Sequence, residues 1–445
     1  MKKKKLDWPT TKILSLGFAL IIFLGAILLL LPISSRGGET SFLDALFTAT
    51  SATCVTGLVV ADTYQHWTMF GQLVILALIQ IGGLGFMTIG VYISVLLKRK
   101  IGLKERENIH ESVSTLEIAG VVRLVRFIIR GTVLIEATGA ILLAIRFIPS
   151  KGLLKGIYYG IFHSISAFCN AGFDLMGDTQ EYSSFVSYES DPIVNITIMG
   201  LIIIGGIGFI VWDDLKCNKF HFRKYLLHTK IVLITTFALV FGGGLLFLIL
   251  ENNATLQGLS WDGKIWGALF SSVTARTAGF NTTDTAALTN GGKLLTIVLM
   301  FIGGSSGSTA GGIKTTTLVV AIFFARNMIT RTQGTNILGR RLEDETLKKA
   351  NAVVIINLTL ASVAAFIIFA VQPFQFEDVL FEVFSAIGTV GMTTGITRDL
   401  NVVSRIVIIL LMYCGRLGSL SFALTFAQRK IVPPVQQPAE KIVVG

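Results

Sequence analysis

The chain has 445 residues, of which 52% are hydrophobic and only 15% are charged, and its mean hydropathy is +0.71. Soluble domains carry nearer 25% charged residues, so this composition excludes a soluble domain. Two uncharged runs, Ile13–Leu31 and Ile231–Leu250, reach the roughly 20 residues that cross about 30 Å of hydrocarbon. We expect a polytopic membrane protein whose first run, too long for a signal peptide and without a cleavage site, is a retained span.

The net charge of +11 is unevenly distributed. Of the 38 lysines and arginines, 26 fall in five stretches, which are 2–12, 98–126, 216–230, 326–349 and 429–441. Because lysine and arginine accumulate on the cytoplasmic side of membrane proteins, both termini are predicted to be cytoplasmic, with an even number of crossings between any two stretches. The basic stretches are a candidate docking surface for a cytoplasmic partner or for anionic lipid.

Two apolar spans separate each basic stretch from the next. The predicted spans are 12–32, 69–97, 127–148, 192–212, 229–250, 293–325, 350–371 and 402–427. An amphipathic stretch too short to cross lies within each pair, and these stretches are 41–53, 154–168, 262–275 and 374–388. We expect four re-entrant half-helices, with Asp44 and Asp262 as N-caps of two of them.

Four similar loops follow these half-helices, each ending in a glycine and a large apolar residue. The glycines are Gly57, Gly172, Gly279 and Gly391, at spacings of 115, 107 and 112 residues, and the fourth copy is read as about two residues shorter. The pattern predicts an all-α protein of four helix–pore helix–filter loop–helix repeats in pseudo-fourfold arrangement, with eight crossings. The predicted repeats are 1–98, 99–226, 227–345 and 346–430, followed by a cytoplasmic tail, 431–445.

The chemistry of these loops favours passage of a monovalent cation. Irregular backbone at membrane depth is tolerated where it lines a water-filled cavity, and rings of backbone carbonyls replace the hydration shell of potassium. No Asp or Glu adjoins a loop glycine, whereas a pore for divalent cations favours carboxylates. The candidate filter residues are Cys54, Val55, Thr56, Gly57, Cys169, Asn170, Ala171, Gly172, Arg276, Thr277, Ala278, Gly279, Gly388, Thr389, Val390 and Gly391.

Charged residues near the loops have competing interpretations. Arg276 would block cations if it entered the pore, so we expect it behind the loop, bonded to the filter backbone. Asp174 and Asp284 follow two filter glycines and are either outer-mouth charges that concentrate cations or solvated loop charges. Glu136 is expected either to pair with Arg130 or another arginine or to take part in a proton relay.

A second glycine pattern, in the apolar span after each loop, diverges among the repeats; it reads GGLG at 82–85, GGIG at 205–208, GGSSG at 303–307 and GRLG at 415–418. In the third repeat it becomes a segment rich in glycine and serine that cannot hold a lipid-facing helix, which predicts a mobile intramembrane gate or a static packing loop. Arg416 replaces a glycine of the fourth copy and is expected either to complete the gate or to be neutralised at a dimer interface. The candidate gate residues are Gly303, Gly304, Ser305, Ser306, Gly307, Ser308, Thr309, Ala310, Gly311, Gly312, Lys314 and Arg416.

The loops resemble the Trk/Ktr/HKT superfamily of potassium transporters, above all in TVGM at 389–392, ARTAGF at 275–280 and GGSSGSTAGGIKTT at 303–316. The last segment is most similar to the translocating subunits of Ktr systems. The resemblance implies potassium uptake at the cell membrane, a filter at the four glycines, a homodimer with one pore per chain, and a cytoplasmic nucleotide-binding RCK ring as partner. It also implies sodium-stimulated uptake and neither an organic cofactor nor nucleic acid binding.

Two other functions compete with a potassium pore. An ion-coupled symporter of potassium with sodium or protons also has repeats and discontinuous helices, although its repeats come in two halves. A membrane enzyme is disfavoured because the sequence has no phosphate-binding, metal-binding or Ser/His/Asp pattern. Since only the fourth loop keeps Thr-Val-Gly, we expect looser selectivity than in tetrameric potassium channels.

Overall fold

The computed structural model describes residues 10–85, 88–89, 121–219, 221–330, 334–426 and 440, and it is mostly helical. Most of the basic stretches 2–12, 98–126 and 429–441, and nearly all of the predicted tail, lie outside these residues.

The described part contains fifteen α-helices and one short hairpin. The helices are α1 Thr10–Leu30, α2 Phe42–Cys54, α3 Met69–Leu84, α4 Val121–Lys151, α5 Leu153–Phe168, α6 Pro192–Gly206, α7 Phe209–Asn218, α8 Leu227–Glu251, α9 Trp261–Thr274, α10 Asn290–Phe301, α11 Thr315–Thr330, α12 Asp344–Val371, α13 Phe376–Gly388, α14 Val402–Leu417 and α15 Ser419–Phe426. The antiparallel strands β1 Asn336–Ile337 and β2 Arg340–Arg341 lie between α11 and α12.

Among the described helices, α1, α4, α8 and α12 are long and apolar enough to cross a membrane, and α6 with α7 makes a fifth candidate bent by 94°. The prediction of a polytopic helical protein is therefore confirmed. The remaining apolar helices, α3, α10 and α11, are each shorter than a full span.

The second glycine pattern marks breaks that the sequence analysis expected only in the third repeat. Gly85 ends α3, Gly208 separates α6 from α7, and Gly418 separates α14 from α15, with φ of +80°, +97° and +85°. These angles lie in the left-handed region that glycine adopts without a steric penalty. The predicted spans 192–212 and 402–427 are therefore each divided into two helices by a glycine.

Four short helices, α2, α5, α9 and α13, lie at the predicted half-helix positions. The prediction that Asp44 and Asp262 cap two of them was wrong. Ser41 and Ser260 are the N-caps, and their hydroxyls accept hydrogen bonds from the amides of Asp44 and Gly263. The aspartates lie within the first turn, where a carboxylate is favoured by the helix dipole.

Each half-helix is fixed in the core by a fully buried phenylalanine. These residues stand nine or ten positions before the loop glycine and are Phe47, Phe162, Phe270 and Phe381. Burial of such a ring stabilises the fold by about 2–3 kcal/mol. The core therefore surrounds the four half-helices and holds the loops that follow them.

Glycines of the second pattern let the later helix of a repeat approach its half-helix closely. A Cβ on Gly82, Gly205 or Gly415 would lie within 3.0 Å of a backbone carbonyl oxygen. The three carbonyls are equivalent, each belonging to the residue four positions before a loop glycine, namely Thr53, Phe168 and Ile387. The second glycine pattern therefore allows close packing of these helices against the ends of the half-helices, next to the loops.

Candidate ion filter and gate

The four loops share one backbone conformation. In each loop the glycine and the residue two positions before it have positive φ, between 50° and 91°. The pairs are Val55 and Gly57, Asn170 and Gly172, Thr277 and Gly279, and Thr389 and Gly391. A non-glycine residue with positive φ is uncommon, so its recurrence at four equivalent positions marks a constrained functional segment.

The four loop glycines meet in a closed ring. A Cβ on any of them would lie within 3.0 Å of the carbonyl oxygen that precedes the glycine of the next loop. Gly57 faces the carbonyl of Ala171, Gly172 that of Ala278, Gly279 that of Val390, and Gly391 that of Thr56. The order follows the chain and closes on itself, so the loops surround a single axis with carbonyl oxygens between the glycines.

The backbone of each loop is tied to its own half-helix by a buried serine or threonine. The hydroxyls of Ser51 and Ser385 accept from the amides of Gly57 and Gly391, at 3.0 and 3.1 Å. In the other two loops, Ser166 and Thr274 donate to the carbonyls of Phe173 and Phe280, at 2.7 and 2.6 Å. These hydrogen bonds satisfy backbone amides and carbonyls of the loops and fix each loop to its half-helix.

The same ties correct the alignment of the loops. Ser385 stands six residues before Gly391, just as Ser51 and Ser166 stand six residues before their glycines. Thr274 stands only five residues before Gly279. The third loop is therefore the shorter one, and the fourth aligns with the first two.

Side chains of the candidate filter residues are buried in the wall around the ring. Asn170 donates through Nδ2 to the hydroxyl of Thr277 at 3.0 Å and thereby joins the second and third loops. Cys169 contacts Gly83, and its Sγ lies 3.6 Å from Gln80 Oε1. Gly388 ends α13 where a Cβ would collide with the carbonyl of Met300. The wall is therefore packed from several helices, while the backbone faces the axis.

Two predicted side-chain contacts are not found among the described residues. Arg276 is buried behind its loop as expected, but its Nε has no hydrogen-bond partner among the described residues and borders a small cavity beside Ile203 and Gly304. Glu136 accepts from Gln80 Nε2 at 3.3 Å rather than pairing with an arginine. The partner of Glu136 is not encoded locally, because Gln80 belongs to a different helix.

An outer cavity of about 140 Å³ lies against the ring and is lined by all four loop glycines. Asp174 and Asp284 line it, as does Asp62, which the sequence analysis missed. Asp62 and Asp284 each stand five residues after a loop glycine, a repeated offset that could have revealed Asp62. Three carboxyl groups at one mouth make it attractive to cations.

The outer mouth is expected to depend on pH through Asp174. Burial in the cavity wall, with the Asp62 carboxylate beside it, raises the pKa of Asp174 from 3.8 to about 7. Asp174 is neutral below this pKa and negative above it, so cation entry at low potassium should rise about twofold between about pH 6 and pH 8. Initial uptake rates measure the effect, and Asp174→Asn should abolish it; an equal rise in that variant would contradict the prediction.

The candidate gate is a closed loop between α10 and α11. Its two ends are joined by hydrogen bonds from the amide of Gly303 to the carbonyl of Ile313, at 2.8 Å, and from that of Thr315 to Gly304, at 3.1 Å. The loop also pairs with the break between α6 and α7, where the amide of Phe209 donates to the carbonyl of Gly307 at 2.8 Å. The breaks of two inner helices therefore meet and satisfy each other's backbone.

The gate loop touches the inner ends of two half-helices. Thr309 donates through its hydroxyl to the carbonyl of Phe168 at 3.1 Å. A Cβ on Gly311 would collide with the side chain of Thr389, the left-handed residue of the fourth filter loop. The segment therefore contacts the end of one half-helix and the loop that follows another.

Arg416 joins the gate loop to the first repeat. Its guanidinium donates to the carbonyls of Thr309 and Gly82, and to that of Gly83 at 3.0 Å. Lys314 folds back on the loop and donates from Nζ to the carbonyl of Ala310 at 2.7 Å. Both partly buried cations therefore bind backbone carbonyls of the segment.

Comparisons of this sequence with known proteins all lead to one family of cation transport proteins. Residues 18–433 match the family described as TrkH, cation transport protein. The chain is 42% identical to the Ktr system potassium uptake protein B of Bacillus subtilis, covering 96% of each chain. It is 40% identical to the potassium/sodium uptake protein NtpJ of Enterococcus hirae, covering 98% of this chain and 97% of that protein.

A solved structure shares the fold. The crystal structure of the potassium transporter TrkH from Vibrio parahaemolyticus matches with a TM-score of 0.73 and 19% identity, over 96% of this chain and 87% of that one. At this identity the likeness concerns the fold alone. The full-length relatives and the family match lead to a firmer conclusion: the chain belongs to the TrkH family of cation transport proteins, which are transporters rather than enzymes.

Proposed function

We propose that this protein mediates potassium uptake across the cell membrane through one central pore, whose filter is the ring of Gly57, Gly172, Gly279 and Gly391. The observation that carries the proposal is the closed ring itself, with a backbone carbonyl between each pair of glycines. Carbonyl oxygens substitute for the hydration shell of potassium. The names of the bacterial relatives, which specify potassium uptake, support the same ion.

The electrostatics of the site suit a monovalent cation. Each filter loop follows the C-terminal end of a half-helix, whose dipole places partial negative charge near the axis. No loop places a carboxylate beside its glycine, and the three aspartates lie in the outer cavity. Cations are thus gathered outside and dehydrated only at the ring, with potassium as the permeant ion and no organic cofactor.

We propose that residues 303–314 form the gate, held closed by Arg416 and Lys314. Many of the loop's hydrogen bonds join it to helix breaks and half-helix ends rather than to a continuous helix. Such bonds can exchange between two arrangements without unfolding a span. Opening then requires the loop to leave the inner side of the filter while the four filter loops stay fixed.

The proposed architecture has four repeats, 1–98, 99–226, 227–345 and 346–430, with eight crossings and both termini in the cytoplasm. Four half-helices in the order expected of the repeats support it. The protein is proposed to act as a homodimer in the bilayer, with a cytoplasmic RCK-type subunit controlling its gates. The description of one relative as part of a Ktr system supports a partner subunit.

A coupled symporter is the second candidate, because one relative is named a potassium/sodium uptake protein. Flux in proteoliposomes with imposed gradients separates the two. A pore moves potassium only down its electrochemical gradient, and sodium then alters the rate without driving transport. Potassium accumulation against that gradient, driven by sodium or protons, would contradict the proposed pore, and absence of any potassium flux would contradict potassium transport altogether.

A further inference from the structure

Two half-helices carry a buried ionisable side chain at the same position. Glu382 and His163 each stand nine residues before a filter glycine, and neither is exposed. Because the third loop is one residue shorter, the corresponding residues of the first and third repeats are Thr48 and Ser271, whose side chains do not ionise. Because the glycines follow chain order around the ring, the second and fourth loops lie opposite each other. The two ionisable residues therefore occupy one diagonal of the filter.

Glu382 fixes the outward end of the fourth filter loop. Its Oε2 accepts from the hydroxyl of Thr393 at 2.7 Å, and its Oε1 from that of Thr397 at 2.6 Å. Thr393 follows the filter glycine by two residues and lines the outer cavity. Its carbonyl accepts from the hydroxyl of Thr285, which follows the third loop, at 2.6 Å. The carboxyl group thus controls a contact between two neighbouring loops.

His163 does the same for the second filter loop. Its Nε2 accepts from the amide of Leu175 at 3.0 Å, and its Nδ1 lies 2.7 Å from the carbonyl of Tyr159. A backbone amide only donates and a carbonyl only accepts, so the proton must be on Nδ1. The rings of Phe147 and Phe185 pack against the imidazole and hold its orientation.

We propose that Glu382 and His163 are positioning residues that fix the width of the filter along this diagonal and thereby set discrimination of potassium from sodium. The inference rests on the proposed pore. Selection by size needs carbonyls that cannot close around a smaller ion. Anchors on opposite sides hold the two loops apart, whereas a loop released from its anchor can follow the ion inward. The carbonyl oxygens of the released loop can then approach sodium closely, which the intact filter prevents.

The test is the ratio of potassium to sodium permeability in proteoliposomes. Glu382→Ala should lower the ratio about tenfold, because two hydroxyls lose their acceptor and the loop loses its anchor. Thr393→Val removes a single hydroxyl and should lower the ratio in the same direction. Glu382→Gln keeps one acceptor oxygen and should give an intermediate ratio. His163→Ala, which releases the loop on the opposite side of the ring, should also lower the ratio.

Glu251 provides a matched control. It is also buried and accepts from two threonine hydroxyls, those of Thr255 and Thr289, but it does so at the end of α8, away from the filter. Glu251→Ala should reduce thermal stability as Glu382→Ala does and leave the permeability ratio unchanged. If Glu382→Ala does not fold, Thr393→Val carries the comparison.

An unchanged ratio in Thr393→Val and in folded Glu382→Ala would overturn the inference, as would an equal fall in Glu251→Ala. These outcomes differ from failure of the proposed function, which would show as no potassium flux in wild-type vesicles. A lowered ratio confined to the diagonal variants supports the inference.

Discussion

Serine in place of Gly279 is expected to reduce potassium uptake at low potassium about 100-fold and to remove most of the preference for potassium over sodium. Gly279 has φ of +84°, and a Cβ there would lie within 3.0 Å of the carbonyl oxygen of Val390. The left-handed conformation costs an L-residue about 1–2 kcal/mol, and the collision displaces a carbonyl of the ring. Initial uptake rates in proteoliposomes, measured separately for potassium and sodium, give both effects.

Gly242→Ser is the control for that substitution. Gly242 lies in α8 with ordinary helical φ, and nothing lies within 4 Å of the position that its Cβ would take. Its transport should equal that of the wild type. Unchanged selectivity in Gly279→Ser would show that the third loop does not belong to the filter.

Alanine in place of Arg416 is expected to raise flux in the resting state about tenfold or more. The guanidinium donates hydrogen bonds to three carbonyls and so joins the gate loop to the first repeat. A hydrogen bond from a charged group contributes about 1.5–3 kcal/mol, so its loss shifts the loop toward open arrangements. Removing the positive charge also lowers the barrier to a cation on the inner side of the filter. Potassium efflux from loaded vesicles in the absence of a partner subunit measures the leak.

Arg405 offers the matched arginine on the same helix. Its Nη1 pairs with Asp44 at 2.5 Å at the other end of α14, far in sequence from the gate contacts. Arg405→Ala should leave the resting leak unchanged. Arg416→Lys should restore the charge but not all the bonds, because an ammonium lacks the planar fork of a guanidinium. If Arg416→Ala leaks potassium no faster than the wild type and keeps its control by the partner subunit, the role of Arg416 in the gate is contradicted.

The half-helices were predictable because their signals are local. Each has an apolar stretch too short to cross a membrane, followed by a glycine that recurs at nearly constant spacing. The four short helices begin and end within two residues of the predicted stretches. One reason for the loop glycines was equally local, since each has a positive φ that a Cβ opposes.

The contacts between repeats were not predictable from local patterns. The break before α7 needs the carbonyl of Gly307, about 100 residues further along the chain, to accept from the amide of Phe209. Arg416 likewise finds its acceptors in the first and third repeats. Charge and hydropathy identified the glycine-rich segment and Arg416 as unusual within apolar spans. Their partners follow from the way that four similar units close around an axis.

The most direct test of the proposed pore is to locate a heavy potassium substitute in the protein by anomalous X-ray scattering. Crystals grown with thallium in place of potassium should show a peak on the axis of the four filter glycines, surrounded by the carbonyls of Thr56, Ala171, Ala278 and Val390. Gly279→Ser crystals should show a much weaker peak. A ring without thallium, with the ion bound elsewhere in the chain, would contradict the assignment of the four loops as one ion filter.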